Sequence, residues 1–106
     1  MTAVRFEGHF ELLRPLSDLA TVFDMTGVAF TIERNAIRCR EPGFGLDIDR
    51  EAATRYRVSG TVDPACHDAV ALLTRLGCAF DADGIVYRFT LYDGAGEPTH
   101  VFEPVD

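Results

Sequence analysis

The chain contains no lysine and no tryptophan, and it has few cysteines and prolines. All ten of its basic residues are therefore arginines, against 17 acidic residues, and the formal net charge is −7. Binding to nucleic acid without sequence preference requires a basic face that neutralises phosphates. The charge balance argues against that class of function. It is typical of a soluble protein and favours cationic over anionic ligands.

The three cysteines, Cys39, Cys66 and Cys78, form no CxxC pair. An odd and sparse set is typical of a reducing compartment, where thiols stay free. We expect all three to be small buried core residues. The start, "MTAVRFEGHF", lacks the layout of a signal peptide, and no apolar run approaches the roughly 18 residues of a membrane span. We therefore expect a cytoplasmic protein with no membrane partner and no nucleic-acid partner.

Periodicity predicts a strand and a helix at the start of the chain. "AVRFEGHFEL" (residues 3–12) alternates between apolar and polar residues, which is typical of a strand with one core face. An apolar stripe of period 3.6 then predicts a helix between Pro15 and Gly27. "VAFTIER", "AIRCRE" and "FGLDID" predict three further strands, the first two joined by a tight turn near Asn35.

The second half repeats this plan. "TRYRVSGTV" predicts a strand, and Asp63 as N-cap with Pro64 at the first position predicts a helix that ends at Gly77. "CAFDA", "IVYRFTLY" and "THVFEP" predict three strands separated by the turns "DG" and "DGAGEP".

The two halves also share residues at a spacing of fifty. Gly27, Ala29 and Phe30 recur as Gly77, Ala79 and Phe80. A chain of 106 residues has room for one core, and neither half could bury its sheet alone. We therefore predict an α+β fold in one domain, residues 1–106. It consists of two βαβββ modules, 1–51 and 52–106, that form curved mixed sheets around a groove with the helices outside.

This plan, together with one local motif, resembles the vicinal oxygen chelate superfamily. That superfamily includes glyoxalase I, the bleomycin-resistance proteins and the extradiol dioxygenases. "YDGAGEPTHVFEP" (residues 92–104) is similar to the family's closing hairpin, DPDGNxIELFEP. The matching positions are Asp93, Gly96, Phe102, Glu103 and Pro104. "SDLATVFDMTGVAF" is similar to the family's first helix.

Metal-using members of the family place ligands on four strands, and the resemblance maps those positions onto this chain. They fall on Glu7, or His9 if the register slips by two, on Asp47 or Asp49, on Arg57, and on His100. Where the family has a histidine, this chain has Arg57. A guanidinium is permanently cationic and has no lone pair for a metal. We therefore predict a site without metal, in which Arg57 pairs with an acid and offers its planar fork to ligand oxygens.

Three functions follow from these observations. The first is a small-molecule-binding protein of the bleomycin-resistance type, without cofactor, whose groove is lined by Glu7, His9, Asp47, Arg57 and His100. The second is a metal-dependent lyase, isomerase or dioxygenase in which Glu7, Asp47 and His100 hold one divalent Zn, Ni, Mn or Fe ion. The third is a structural or interaction module whose cavity is filled by side chains. The resemblance also implies a homodimer.

Overall fold

The structure, a computed structural model, describes residues 3–20 and 30–104. Its strands are β1 (Val4–Glu11), β2 (Thr31–Ile32), β3 (Ala36–Glu41), β4 (Phe44–Arg50), β5 (Arg55–Val62), β6 (Tyr87–Tyr92) and β7 (Pro98–Phe102). A 3-10 helix spans Leu16–Leu19, and the α-helix α1 spans Ala69–Ala82. Within these two ranges of residues, no helix is long and apolar enough to span a membrane.

All seven strands belong to one sheet, in the order β2-β3-β4-β5-β1-β6-β7, and every neighbouring pair is antiparallel. Because β1 lies between β5 and β6, those two strands run parallel to each other with β1 inserted between them. The helix α1 connects β5 to β6, so the three strands and α1 form a split β-α-β unit. This unit joins the two halves of the chain in the middle of the sheet.

One face of the sheet is apolar because each strand alternates between inward and outward residues. Phe6 and Phe10 of β1 are fully buried on this face, and Phe80 of α1 packs on Phe10 with 5.1 Å between the ring centroids. The other buried residues of α1 on this side are Leu72, Leu73, Leu76, Gly77 and Ala79. The space between the sheet and α1 is therefore a packed core.

Two glycines allow aromatic rings to lie flat on the middle of the sheet. A Cβ atom at Gly60 would overlap the carbonyl oxygen of Gly45 and the ring of Phe6. A Cβ atom at Gly8 would overlap the backbone of β6 at Arg88 and Phe89. At both positions, backbone of a neighbouring strand and an aromatic ring occupy the space that a Cβ atom would need.

The predicted fold class is wrong. Residues 3–20 and 30–104 form one antiparallel sheet instead of curved mixed sheets around a groove, and they contain a single α-helix. The second half reads strand, helix, two strands instead of βαβββ. The error arises at "CAFDA", because Cys78–Ala82 is the end of α1 and not a strand.

The boundaries of α1 explain this error. Gly77 does not end the helix. It lies buried inside α1, where an added Cβ would be 2.7 Å from the hydroxyl oxygen of Tyr87. The last helical residue is Ala82, and Gly84, with a φ of 72°, terminates the helix. Gly84 N–H donates to Asp81 C=O and Ile85 N–H donates to Phe80 C=O, which is the Schellman pattern.

The start of α1 also differs from the prediction. Asp68 is the N-cap, and its side chain accepts from Ala71 N–H at 3.1 Å. Asp63, the predicted cap, instead accepts from Ala65 N–H at 2.9 Å in a turn that precedes the helix.

The other predicted elements have mixed outcomes. The alternating segments that form β1, β3, β4, β5, β6 and β7 are confirmed as strands. The predicted first helix begins as the 3-10 helix, and Ala20 follows it in helical conformation. The rest of that helix, with Gly27 and Ala29 of the glycine repeat, lies outside the described residues.

Candidate functional site

The side of the sheet opposite α1 is lined by charged and polar residues, and we call it the polar face. Strand alternation and register bring its members into cross-strand rows. One row runs Arg38, Asp47, Ser59, Glu7, Thr90 across β3, β4, β5, β1 and β6. The next row runs Asp49, Arg57, His9, Arg88. No described helix covers this face, so its side chains are open to a ligand.

Four of the five predicted site residues lie together on the polar face. Ser59 separates Glu7 from Asp47 in the first row, and His9 is directly opposite Arg57 in the second. The Arg57 Nη2 atom lies 4.0 Å from Glu7 Oε1. The Arg57 guanidinium therefore lies near the Glu7 carboxylate but beyond hydrogen-bond distance.

The fifth predicted residue, His100, lies elsewhere. It is opposite the buried Leu91, on the side of the sheet away from the polar face. Its ring stacks on Phe102, with 6.1 Å between centroids, and its Nδ1 atom is 3.1 Å from Thr99 Oγ1. Glu7 and Asp47 therefore have no contact with His100, and the alternative metal set is not brought together. Among residues 3–20 and 30–104, no group of three or more His, Cys, Asp or Glu residues is arranged to hold a metal ion.

The β3–β4 half of the polar face is neutralised by close ion pairs. Arg38 Nη2 donates to Asp49 Oδ1 at 2.7 Å, and Arg40 Nη2 donates to Asp47 Oδ1 at 2.7 Å. Arg38 Nε also lies 3.5 Å from Asp47 Oδ1. The hydrogen bond to Asp49 raises the pKa of Arg38. Asp47 is thus held by two arginines, and its charge is already compensated.

The β5–β1–β6 half of the polar face has looser pairs. Glu7 Oε1 is nearer to Arg5 Nη1, at 3.2 Å, than to Arg57. Arg88 Nε lies 3.9 Å from Glu103 Oε2. Strand alternation from the buried Tyr87 and Phe89 is the sequence signal that places Arg88 on this face.

Two open depressions mark these two halves. The first, of about 630 Å³, is lined among others by Arg5, Glu7, Arg40, Asp47, Ser59 and Thr61. The second, of about 360 Å³, is lined among others by Glu7, His9, Arg55, Arg57, Arg88 and Tyr92. Both depressions contain Glu7, whereas Arg57 lines only the second.

The cysteines depart from the prediction of three buried thiols. Cys39 is buried, but Cys66 and Cys78 are exposed, and all three are free. Burial raises the pKa of the Cys39 thiol from 9.0 to about 11. Because the thiolate is the nucleophilic form, Cys39 is an inert core residue at neutral pH.

The closing hairpin that resembles the vicinal oxygen chelate motif forms as predicted. The Asp93 Oδ1 atom accepts from Ala95 N–H at 2.9 Å and from Glu97 N–H at 3.0 Å. Gly96 has a φ of 86°, which favours glycine. These two residues therefore have a local structural role in the turn, whatever the function of the chain.

No protein-family model, curated protein or solved structure matches this chain. The resemblance to the vicinal oxygen chelate superfamily thus stays a hypothesis.

Proposed function

We propose that this chain is a small-molecule-binding protein that works without a metal and holds its ligand on the polar face of the sheet. The observation that carries the proposal is the placement of Glu7, His9 and Arg57 on adjacent strands β1 and β5, on the face that no described helix covers. A guanidinium next to a carboxylate offers both donors and acceptors to one ligand.

The location of the ligand on this face follows from packing. The described residues form one sheet and no groove between curved sheets, and the inner face is filled by buried residues such as Phe6, Phe89 and Leu73. The depressions on the polar face offer the space that the core lacks. A cytoplasmic location is part of this proposal and is supported by the three free cysteines.

A second function is favoured by the openness of the same face. Small-molecule sites usually enclose most of the ligand, whereas this face is broad and exposed. An interaction module that docks another macromolecule is therefore the alternative. A homodimer, with an 11.7 kDa chain as its unit, stays a prediction that light scattering tests.

The proposal is tested by ligand screening on the intact chain. We expect at least one small molecule from a library of cationic, neutral and anionic metabolites to raise the melting temperature. Its contacts, mapped by amide chemical shifts, should fall on β1 and β5. Arg57→Ala should abolish the shift in melting temperature. Thr31→Ala, on the distant edge strand β2, is the matched control and should leave it unchanged. A library that gives no stabilisation and no shifts on the polar face would refute the proposal.

A further inference from the structure

We propose that Arg57, His9 and Arg88 form an oxyanion-binding row that holds a carboxylate or phosphate group of the ligand. This inference rests on the proposed function and names the chemistry of its ligand. We call these three residues the basic row.

The register of the sheet places the basic row. His9 on β1 is directly opposite Arg57 on β5 and directly opposite Arg88 on β6. Neighbouring strands lie about 4.8 Å apart, so the two arginines start roughly 10 Å from each other with His9 between them. Arginine side chains can span half of that gap, and both guanidinium groups can therefore reach one oxyanion above His9.

Most acids around the basic row pair with other arginines or lie beyond hydrogen-bond distance, and Glu11, two residues from His9, lies opposite Arg55. Asp49 is directly opposite Arg57, but it accepts from Arg38 at 2.7 Å. Glu7 is closer to Arg5, at 3.2 Å, than to Arg57, at 4.0 Å. At these distances, Arg57 keeps most of its donors free.

Arg88, at the other end of the row, also lacks an acid at hydrogen-bond distance. Its nearest acid, Glu103, lies 3.9 Å away, beyond the length of a hydrogen bond. The side chains of Arg57 and Arg88 are 62% and 61% exposed, so their donors face solvent.

The arginines on the β3–β4 half of the polar face pair more closely with acids than those of the basic row do. There, each arginine has an acid at 2.7 Å. Arg57 and Arg88 flank His9 with no acid between them in the row, although this chain has 17 acidic residues. A basic row with free planar forks is instead suited to bidentate binding of carboxylate or phosphate oxygens.

The net charge of −7 predicts cationic ligands, but it acts at longer range than the basic row. Charges separated by more than about 8–10 Å are largely screened at physiological ionic strength. An anion that touches Arg57 and Arg88 is therefore governed by contacts of a few ångströms. The local charge at this site is opposite to that of the whole molecule.

The test is an NMR titration of the intact chain with inorganic phosphate, with citrate, and with neutral and cationic metabolites. Phosphate, citrate or both should shift the amides and arginine Nε–H signals of the basic row. Binding by phosphate alone would identify the group as a phosphate, and binding by citrate alone as a carboxylate.

Matched variants separate a specific site from a general charge effect. Arg57→Gln and Arg88→Gln should each weaken anion binding by about tenfold or more, since each removes charged hydrogen bonds. Arg75→Gln is the control, because Arg75 is exposed on α1, on the other side of the sheet, and its loss changes the net charge by the same amount. It should leave binding unchanged. Arg57→Lys keeps the charge but loses the fork, and it should weaken binding by less than Arg57→Gln.

Each contrary outcome is informative. Equal losses in Arg75→Gln and Arg57→Gln would overturn the inference, because the effect would then be one of net charge. Binding of only neutral or cationic compounds on the polar face would also overturn it and would leave the proposed function standing. A face that binds no compound of any charge would refute both.

Discussion

Gly60 on β5 and Gly45 on β4 differ in the space that is available to an added side chain. The face of Gly60 is covered by the ring of Phe6 and the Gly45 carbonyl, whereas the nearest atom to an added Cβ at Gly45 is Thr61 Oγ1, at 3.9 Å. Both residues lie in strands without a positive φ. Alanine substitutions at the two glycines therefore test the effect of available space alone, because neither position has a positive φ that would strain alanine.

We expect Gly60→Ala to lower the free energy of unfolding by about 2 kcal/mol or more, because the core cannot yield to a methyl group at backbone distance. Gly45→Ala is the matched control. It should be neutral or stabilise by roughly 0.5 kcal/mol, since glycine is costly in a strand. Urea denaturation of both variants measures the difference. Equal stabilities would contradict the close packing of Phe6 on β5.

Single residues were predictable where a local rule applied. Strand alternation placed Glu7, His9 and Arg57 on one face, and the turn chemistry of Asp93 and Gly96 placed the closing hairpin. The same alternation could have placed His100. It is two residues before the partly buried Phe102, so the two share a face. The family resemblance instead predicts His100 as a ligand on the polar face, against the strand alternation.

At the scale of elements, α1 carries its own start and stop signals. Asp68 caps its N-terminus through the hydrogen bond from Ala71 N–H. We expect Asp68→Ala to lower the free energy of unfolding by about 1 kcal/mol. Asp68→Asn should retain nearly all of the free energy of unfolding, since asparagine caps a helix equally well. Thermal or urea unfolding of the two variants measures this. If both lose the same amount, the charge of Asp68 and not its capping bond is what stabilises α1.

The C-terminal end of α1 is a boundary at which the sequence-based prediction is wrong. Gly77 and Gly84 both qualify as a glycine that ends a helix. The stripe of Leu72, Leu73 and Leu76 continues through Ala79 and Phe80, and the buried Ile85 follows Gly84 as a Schellman motif requires. These signals favour Gly84. The apparent repeat with Gly27 favoured Gly77, whose real role is to let Tyr87 pack on the helix.

At the scale of the whole molecule, the pairing of strands could not be predicted from local patterns. Alternation shows which residues share a face, but it does not show which strand lies beside which. β1 pairs with β5 and β6, so Val4 lies opposite Val62 and Arg5 opposite Tyr92. These long-range partners are what the two-module hypothesis missed.

This topology makes a direct prediction about the two halves of the chain. We expect a peptide of residues 1–51 to remain unfolded, because within the described residues β1 has no partner strand in that half. Mixing it with a peptide of residues 52–106 should restore structure. Circular dichroism and amide dispersion in NMR spectra, with the intact chain as reference, measure both. A folded 1–51 peptide would instead support independent modules.

The central position of β1 also affects the chain while it is being synthesised. β1 leaves the ribosome before β5 and β6 exist, so both of its edges stay unpaired and Phe6 and Phe10 stay exposed during that time. Bare strand edges with apolar side chains promote aggregation, and charges on the alternate positions oppose it. Arg5, Glu7 and Glu11 occupy those positions in β1. The charged residues on the polar face of β1 thus also oppose aggregation of this strand during synthesis.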